Sequence, residues 1–381
     1  MKEPFGIYIH WPFCLTKCPY CDFNSHVRSD IDEARFLFAF QREMKTMRTR
    51  IKYRNVSSIF IGGGTPSLMM PQTVEELLNT VSTLWNISSK TEITLEANPS
   101  SIDQSRFHGY RSAGVNRLSI GVQALDNQEL KRLGRRHSKE QALQAITLAR
   151  SIFPSFSFDI IYARPGQNEK SWYKELEQAL HLSGDHLSLY QLSIEEKTPF
   201  HHLYTAGKLK IPDHETAANL YLLTQELTHK HRLPAYEISN HAVPGAESKH
   251  NLLYWRYQPY VGFGPGAHSR FTENNRKTVT ITEKSPELWM KSVENYGNAL
   301  VQEEYLLPSQ EADEMLLMGL RLQEGLNLIA YETLTKKSLS SHTKVNKLEE
   351  EGYIEITNNR LRTTIKGRIL LNYLIKELAS I

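Results

Sequence analysis

The chain has 381 residues, 45 Lys+Arg against 42 Asp+Glu, and a formal net charge of +3. Apolar residues make up 40% of it, enough for a sizeable core and too many for a disordered chain. The near balance of charge argues against a nucleic-acid binder held by bulk electrostatics. No apolar run reaches the length of a membrane span, and the cysteines number only three.

At the N-terminus, Lys2, Glu3, Pro4, His10 and Pro12 interrupt the apolar run, which is not the core of a signal peptide. From there the chain alternates short apolar runs with helical patterns. The runs Ile7–His10, Ser57–Ile61, Glu92–Glu96, Arg117–Gly121, Phe156–Ile161 and His186–Leu192 read as strands buried on both faces. Between them, Asp32–Met47, Val74–Trp85, Lys139–Ile152, Glu169–Leu182 and Thr216–His231 have helical spacing. Pro71 and Asp213 serve as start signals. Six β–α units in a row predict an α/β fold with a parallel sheet, and six fall short of a closed eight-stranded barrel. The expected architecture is a partial (β/α)6 barrel.

From Leu233 to Pro308 the pattern loosens, with Pro234, Pro244, Gly245, Pro259, Gly262, Gly264, Pro265 and Gly266, and Asn274-Asn275-Arg276 as a polar turn. Beyond Ser309 the character changes again. Met315–Leu322 and Lys344–Glu351 read as helices, the latter ended by Gly352. Tyr353–Ile356 and Arg360–Thr363 flank an Asn358-Asn359 turn, and Ile365–Leu378 closes as a helix. Helix, helix and hairpin make a winged-helix-like unit. The segment 309–381 holds ten Lys+Arg and ten Asp+Glu, so it lacks the basic charge of a DNA-binding module. Three parts are expected: a barrel over 1–232, an extension over 233–308, and an α+β C-terminal domain over 309–381.

Chemistry concentrates at the end of the first strand. Cys14, Cys18 and Cys21 are all the cysteines of the chain and fall within eight residues. An odd, clustered count is no disulfide framework and fits a reducing, cytoplasmic setting. Three readings are open: inert buried thiols, a Cys3His zinc site completed by His10 or His26, or an iron–sulfur cubane. In the last, three thiolates leave one iron free for a substrate or cofactor. Gly62-Gly63-Gly64-Thr65-Pro66 follows strand two, where backbone without Cβ atoms admits close approach of a ligand. Glu96, Gln123, Arg135 and Asp159 stand at the same end of successive strands, where α/β barrels build their sites. Gly262–Ser269 is a second glycine-rich run that could approach an adenine.

The spacing Cys14-x3-Cys18-x2-Cys21, with Tyr20 before the third cysteine, resembles the signature of the radical S-adenosylmethionine (SAM) superfamily. Tyr8–Cys14, Gly62–Pro66, Arg117–Gln123, Pro165-Gly166-Gln167 and Gly262–Ser269 together resemble the oxygen-independent coproporphyrinogen III oxidase (HemN-like) family. The resemblance implies a [4Fe–4S] cluster on Cys14, Cys18 and Cys21, with SAM on the free iron. It implies that Tyr8, Tyr20, Gly63, Gly64, Thr65, Glu96, Gln123, Arg135 and Asp159 line one or two SAM molecules. The oxidases carry a fourth cysteine where this chain has Phe23, and they begin with a longer N-terminal segment. In these respects the chain is similar to the HemW haem-chaperone branch, whose His-Asn-x-x-Tyr-Trp motif is matched by His250, Asn251, Tyr254 and Trp255. That branch implies haem as a ligand, a haem-acceptor protein, respiratory in type, and a one-electron reductant. Contact with a membrane would come only through the acceptor, a homodimer is among the open arrangements, and no nucleic acid is implied. The oxidase activity itself, a zinc-binding structural protein and a winged-helix DNA binder are the alternatives.

Overall fold

The computed structural model describes residues 4–53, 55–101 and 103–379. Lys2 and Glu3, named above, and residues 380–381 of the C-terminal segment lie outside the described residues. The chain opens with β1 (Phe5–Trp11). A short parallel pair, β2 (Phe13–Cys14) and β3 (His26–Val27), then brackets the loop that carries Cys18 and Cys21. The alternation runs α1 (Glu33–Arg48), β4 (Val56–Gly63), α2 (Pro71–Leu84), β5 (Glu92–Ala97), α3 (Gln104–Ser112) and β6 (Arg117–Gln123). It continues through α4 (Asn127–Arg132), α5 (Lys139–Ile152), β7 (Ser155–Tyr162), α6 (Glu169–Leu182) and β8 (His186–Gln191). All six expected strands form, and β1, β4, β5, β6, β7 and β8 lie side by side and parallel.

Local signals set the helix starts. Ser138 and Gln141 form a capping box on α5, and Asn168 and Ser171 form one on α6. Along each strand the residues alternate. Leu118 and Ile120 of β6 are fully buried against the helices, while Arg117, Ser119 and Gly121 face the inside of the curved sheet. The two ends of the sheet do not pair, so the barrel stays open.

After α7 (Pro199–Thr205) and α8 (His214–Lys230), β9 (Asn240–Ala242) adds antiparallel to β8. The helix α9 (Lys249–Trp255) then leads back to β10 (Tyr260–Phe263), which pairs parallel to the free side of β1. Next come β11 (His268–Glu273), β12 (Arg276–Thr282), α10 (Pro286–Tyr296) and β13 (Leu300–Tyr305), whose strands extend the sheet antiparallel to a total of eleven. This corrects the loose reading of the stretch. Its Pro and Gly residues mark turns between short strands, and Asn274 and Asn275 both adopt positive φ in the β11–β12 turn. The strand β12 alternates buried threonines, whose polar side chains hide an apolar period.

The last segment builds its own core. It comprises α11 (Pro308–Gly319), β14 (Leu326–Asn327), α12 (Leu328–Thr335), α13 (Thr343–Glu350), β15 (Ile354–Thr357), β16 (Arg360–Thr363), α14 (Ile365–Ile369) and α15 (Leu371–Ala379). Asn358 and Asn359 take positive φ in the expected hairpin. The closing helix is broken at Leu370, so it is two helices, and α12 with β14 was not foreseen.

Candidate cluster and cofactor site

A cavity of about 500 Å³ opens at the C-terminal ends of the parallel strands. Cys14, Cys18 and Cys21 all line it. Trp11 and Phe13 anchor the chain ahead of Cys14 against Phe36, with Phe13 and Phe36 edge to face at 5.0 Å. Behind the thiols runs the loop after β4. Gly64 N–H donates to the Trp11 carbonyl at 2.7 Å, and Thr65 N–H to the Phe13 carbonyl at 2.8 Å. A Cβ on Gly64 would stand 2.6 Å from the Phe13 oxygen, so only glycine admits this approach. Thr65 Oγ1 donates to Cys14 Sγ at 3.2 Å, and Arg135 Nη1 donates to Cys18 Sγ at 3.5 Å. Burial pushes the Cys14 thiol up, while the Thr65 hydroxyl opposes that shift. Burial likewise raises Cys21.

This donor set suits a cluster better than a closed zinc site. His10 spends both ring nitrogens, Nδ1 on Tyr8 at 2.9 Å and Nε2 on the Asn24 carbonyl at 2.9 Å, and His26 meets Asn24 Oδ1 at 3.2 Å. Among the described residues no three His, Cys, Asp or Glu converge on one ion position. A cubane asks each thiolate only for its own iron, and hydrogen-bond donors to the sulfurs favour thiolate ligation.

Opposite the thiols stand two carboxyl groups. Glu96, near the end of β5, accepts from Gly63 N–H at 3.0 Å. Burial and the neighbouring Asp159 push its pKa up to about 8. Asp159 on β7 accepts from Ser119 Oγ at 3.3 Å, and burial raises it to about 6 against the pull of Ser188, Arg117 and Ser119. Gln123 ends β6 with φ 71° beyond a register shift, which turns it into the cavity. Arg135 Nη2 holds the Gly121 carbonyl at 2.6 Å. Tyr20 packs near Phe200 and is raised by burial. Gly63, Gly64, Thr65, Glu96, Gln123, Arg135, Asp159 and Tyr20 thus share one cavity with the cysteines.

Tyr8 does not line it. Its ring lies deeper, beside the stacked pair of Phe60 and His250, with its hydroxyl on His10. Gly262–Ser269 does not line it either. A Cβ on Gly264 would meet the His10 carbonyl at 2.5 Å, and Gly264 N–H donates to the buried Glu43 at 2.9 Å. These glycines let the loop pack against β1 and α1. Glu43, also bound by Trp289 Nε1 at 2.9 Å, reads in sequence as an ordinary helix-surface residue.

The His250 motif lies at the other end of the barrel. The helix α9 fills the inner face near the strand starts, where Glu92 of β5 accepts from Ser248 Oγ and from the backbone N–H groups of Lys249 and His250. His250 is 3% exposed, stacks on Phe60 at 4.9 Å and meets Ser58 Oγ at 2.9 Å. Burial lowers its pKa to about 3, so the ring is neutral, and Nε2 has no partner among the described residues. Asn251 Nδ2 donates to the Tyr236 hydroxyl at 3.1 Å. Tyr254 helps line a second cavity, of about 200 Å³, against α11, and Arg321 lies over the Trp255 ring.

Residues 8–179 match the radical SAM superfamily model, and residues 306–370 match the HemN C-terminal domain. The chain is 32% identical to "Heme chaperone HemW" of Escherichia coli, covering 98% of this chain and 97% of that protein. It is 34% identical to the protein of the same name from Haemophilus influenzae, at 98% and 97% coverage. Similarity extends to "Radical S-adenosyl methionine domain-containing protein 1, mitochondrial" of Danio rerio, at 35% identity over 97% of this chain and 86% of the relative. Among solved structures, coproporphyrinogen III oxidase (HemN) from Escherichia coli superposes with a TM-score of 0.82. The two share 20% identity over 99% of this chain and 90% of that one, a likeness of fold.

Proposed function

Because the chain belongs to the radical SAM superfamily and to its HemW branch, we propose that it is a haem chaperone, which binds haem and passes it to an acceptor protein. The observation that carries this reading is the full-length similarity to proteins named Heme chaperone HemW. Phe23 supports it, because it occupies the place where the resemblance gives the oxidases a fourth cysteine. It stands 58% exposed and lines the cluster cavity.

In this reading Cys14, Cys18 and Cys21 would hold a [4Fe–4S] cluster, and the cavity beside them would hold SAM, as the superfamily implies. When bound, the pair supplies one-electron chemistry at the SAM sulfonium. The chain's own part is positional. Thr65 and Arg135 supply hydrogen bonds to two of the thiolates, and Gly63 and Gly64 keep the loop low enough to admit SAM. Glu96 and Asp159 offer carboxylates to a cationic ligand, and Gln123 and Arg135 close the side of β6. His250, Asn251, Tyr254 and Trp255 are the candidates for haem handling. The partners are a respiratory haem protein as acceptor and a cytoplasmic one-electron reductant, with a homodimer as the assembly to test. No helix among the described residues is long and apolar enough to cross a membrane.

Haemin titration of the anaerobically reconstituted chain tests the reading. A Soret change that His250→Ala abolishes is the expected result, and its absence in the parent chain removes the chaperone role. Incubation with coproporphyrinogen III, SAM and a reductant should leave the porphyrinogen unchanged. Conversion to protoporphyrinogen IX would make the chain an oxidase.

A further inference from the structure

Beneath the floor of the cluster cavity, the inner face of the sheet carries a buried cation. Arg117, the first residue of β6, is 4% exposed and points inward beside Thr94. Among the described residues it forms no direct ion pair, and its Nε meets no acceptor. Its Nη2 donates to Ser157 Oγ at 3.0 Å. Ser157 Oγ donates to Ser119 Oγ at 3.4 Å, and Ser119 Oγ donates to Asp159 Oδ1 at 3.3 Å. Three inward-facing hydroxyl and carboxyl groups on β6 and β7 therefore connect an unpaired guanidinium to one carboxyl of the cavity. A buried charge without a direct partner is costly, and here, among the described residues, the one route out of it is the hydroxyl chain to Asp159.

We propose that Arg117 is a positioning residue of the cavity, a buried cation that acts through Ser157 and Ser119 to keep Asp159 a carboxylate aimed at the bound ligand. This rests on the reading of the cavity as a SAM site. The groups facing Asp159 are Glu96 from β5, Arg117 from β6, Arg135 from the loop after α4, and Tyr190 and Ser188 from β8. Two carboxyl groups in one dry space repel, so one of them tends to stay protonated. The Ser188 hydrogen bond and, after it, the charge of Arg117 break that tie in favour of Asp159, and Glu96 is left as the carboxyl that ionises later. The cavity then offers one fixed negative charge and one proton-bearing group to an incoming cation. His186 and His250, which also sense Arg117, are kept neutral and do not compete for its field.

The test is SAM affinity by calorimetry on the cluster-loaded full chain from pH 5.5 to 8.5. In Arg117→Gln the midpoint of the pH profile moves up by about one pH unit, as expected for removing an opposite charge at short range. Arg117→Lys restores most of the shift, and in the Asp159→Asn background Arg117→Gln moves nothing further. A midpoint unmoved in Arg117→Gln, or moved equally in the Asp159→Asn background, overturns the proposal. If the parent chain binds no SAM, the reading of the cavity fails instead. The coupling is then read from urea midpoints of the parent, Arg117→Gln, Asp159→Asn and the double variant against pH, where Arg117→Gln must change the pH dependence only when Asp159 is present. Should Arg117→Gln fail to fold, Ser119→Ala, which cuts the relay and keeps the charge, is expected to give a smaller shift of the same sign. No shift there would refute the relay.

Discussion

A single methyl group on Gly64 tests the architecture of the cluster site. In Gly64→Ala the new Cβ meets the Phe13 carbonyl oxygen at 2.6 Å and the Phe13 nitrogen at 2.8 Å, both backbone atoms that cannot rotate away. Relief requires the two segments to part by about 0.8 Å to regain ordinary contact. That separation falls on the Gly64–Trp11 and Thr65–Phe13 backbone bonds, now 2.7 and 2.8 Å. At about 1 kcal/mol each, with some steric strain added, the loss is about 2–3 kcal/mol. It also carries Thr65 Oγ1 away from Cys14 Sγ. Melting of the apo chain should therefore fall by several degrees, and anaerobic reconstitution should load well under the expected four or so irons per chain. Thr65→Val, which swaps the hydroxyl for a methyl of similar size, should weaken loading without the loss of stability, and Thr65→Ser should retain both. A Gly64→Ala chain with full iron content and unchanged melting would refute the claim that the loop and the thiols are held as one unit.

Two further outcomes concern buried titratable groups. Glu43→Gln sets an amide N–H2 against either Gly264 N–H or Trp289 Nε1–H, and urea denaturation at pH 7 should show a loss of about 1–3 kcal/mol. A neutral result would mean those bonds are not made. His250 holds its folded pKa near 3, below its unfolded value of 6.5. The unfolded chain therefore takes up a proton first, and stability falls as pH drops from 6.5 towards 3, with a slope of up to about 1.4 kcal/mol per pH unit. His250→Gln lacks that proton uptake, so its stability deficit relative to the parent should shrink between pH 7 and pH 5. A deficit constant with pH would show that His250 is not buried neutral.

The six parallel strands were legible because both of their faces are covered, which leaves unmistakable apolar runs such as Ile7–His10. The cysteine spacing and Gly62–Pro66 were legible because few other arrangements need those residues together. The strands from Tyr260 to Tyr305 were not. Their buried positions include Lys277, Thr278, Thr280 and Thr282, whose side chains read as surface until the hydrogen bonds of Thr282 to Gly264 and Ala267 are seen. Arg117 was hidden for a related reason. A charge at the start of a strand looks solvated, and only the inward alternation with Ser119 and Gly121 places it inside. The motif at His250 was visible as a motif, but its distance from the cysteines was not, because the return of the chain to the base of the barrel depends on β10 pairing with β1.

The placement of α9 has a kinetic consequence. Glu92 and Glu96 sit four residues apart on one extended strand, about 13 Å from stopper to cavity floor. A macrocycle cannot reach His250 Nε2 while Ser248, Lys249 and His250 are fastened to Glu92 and the ring is stacked on Phe60. If that nitrogen is an iron ligand, the barrel must first uncork. Loading would then saturate at a rate set by opening rather than by haem concentration, and removing the fastening with Glu92→Ala would raise that ceiling. Release to an acceptor would run through the same opening in reverse, so one latch at the base would time both halves of the transfer.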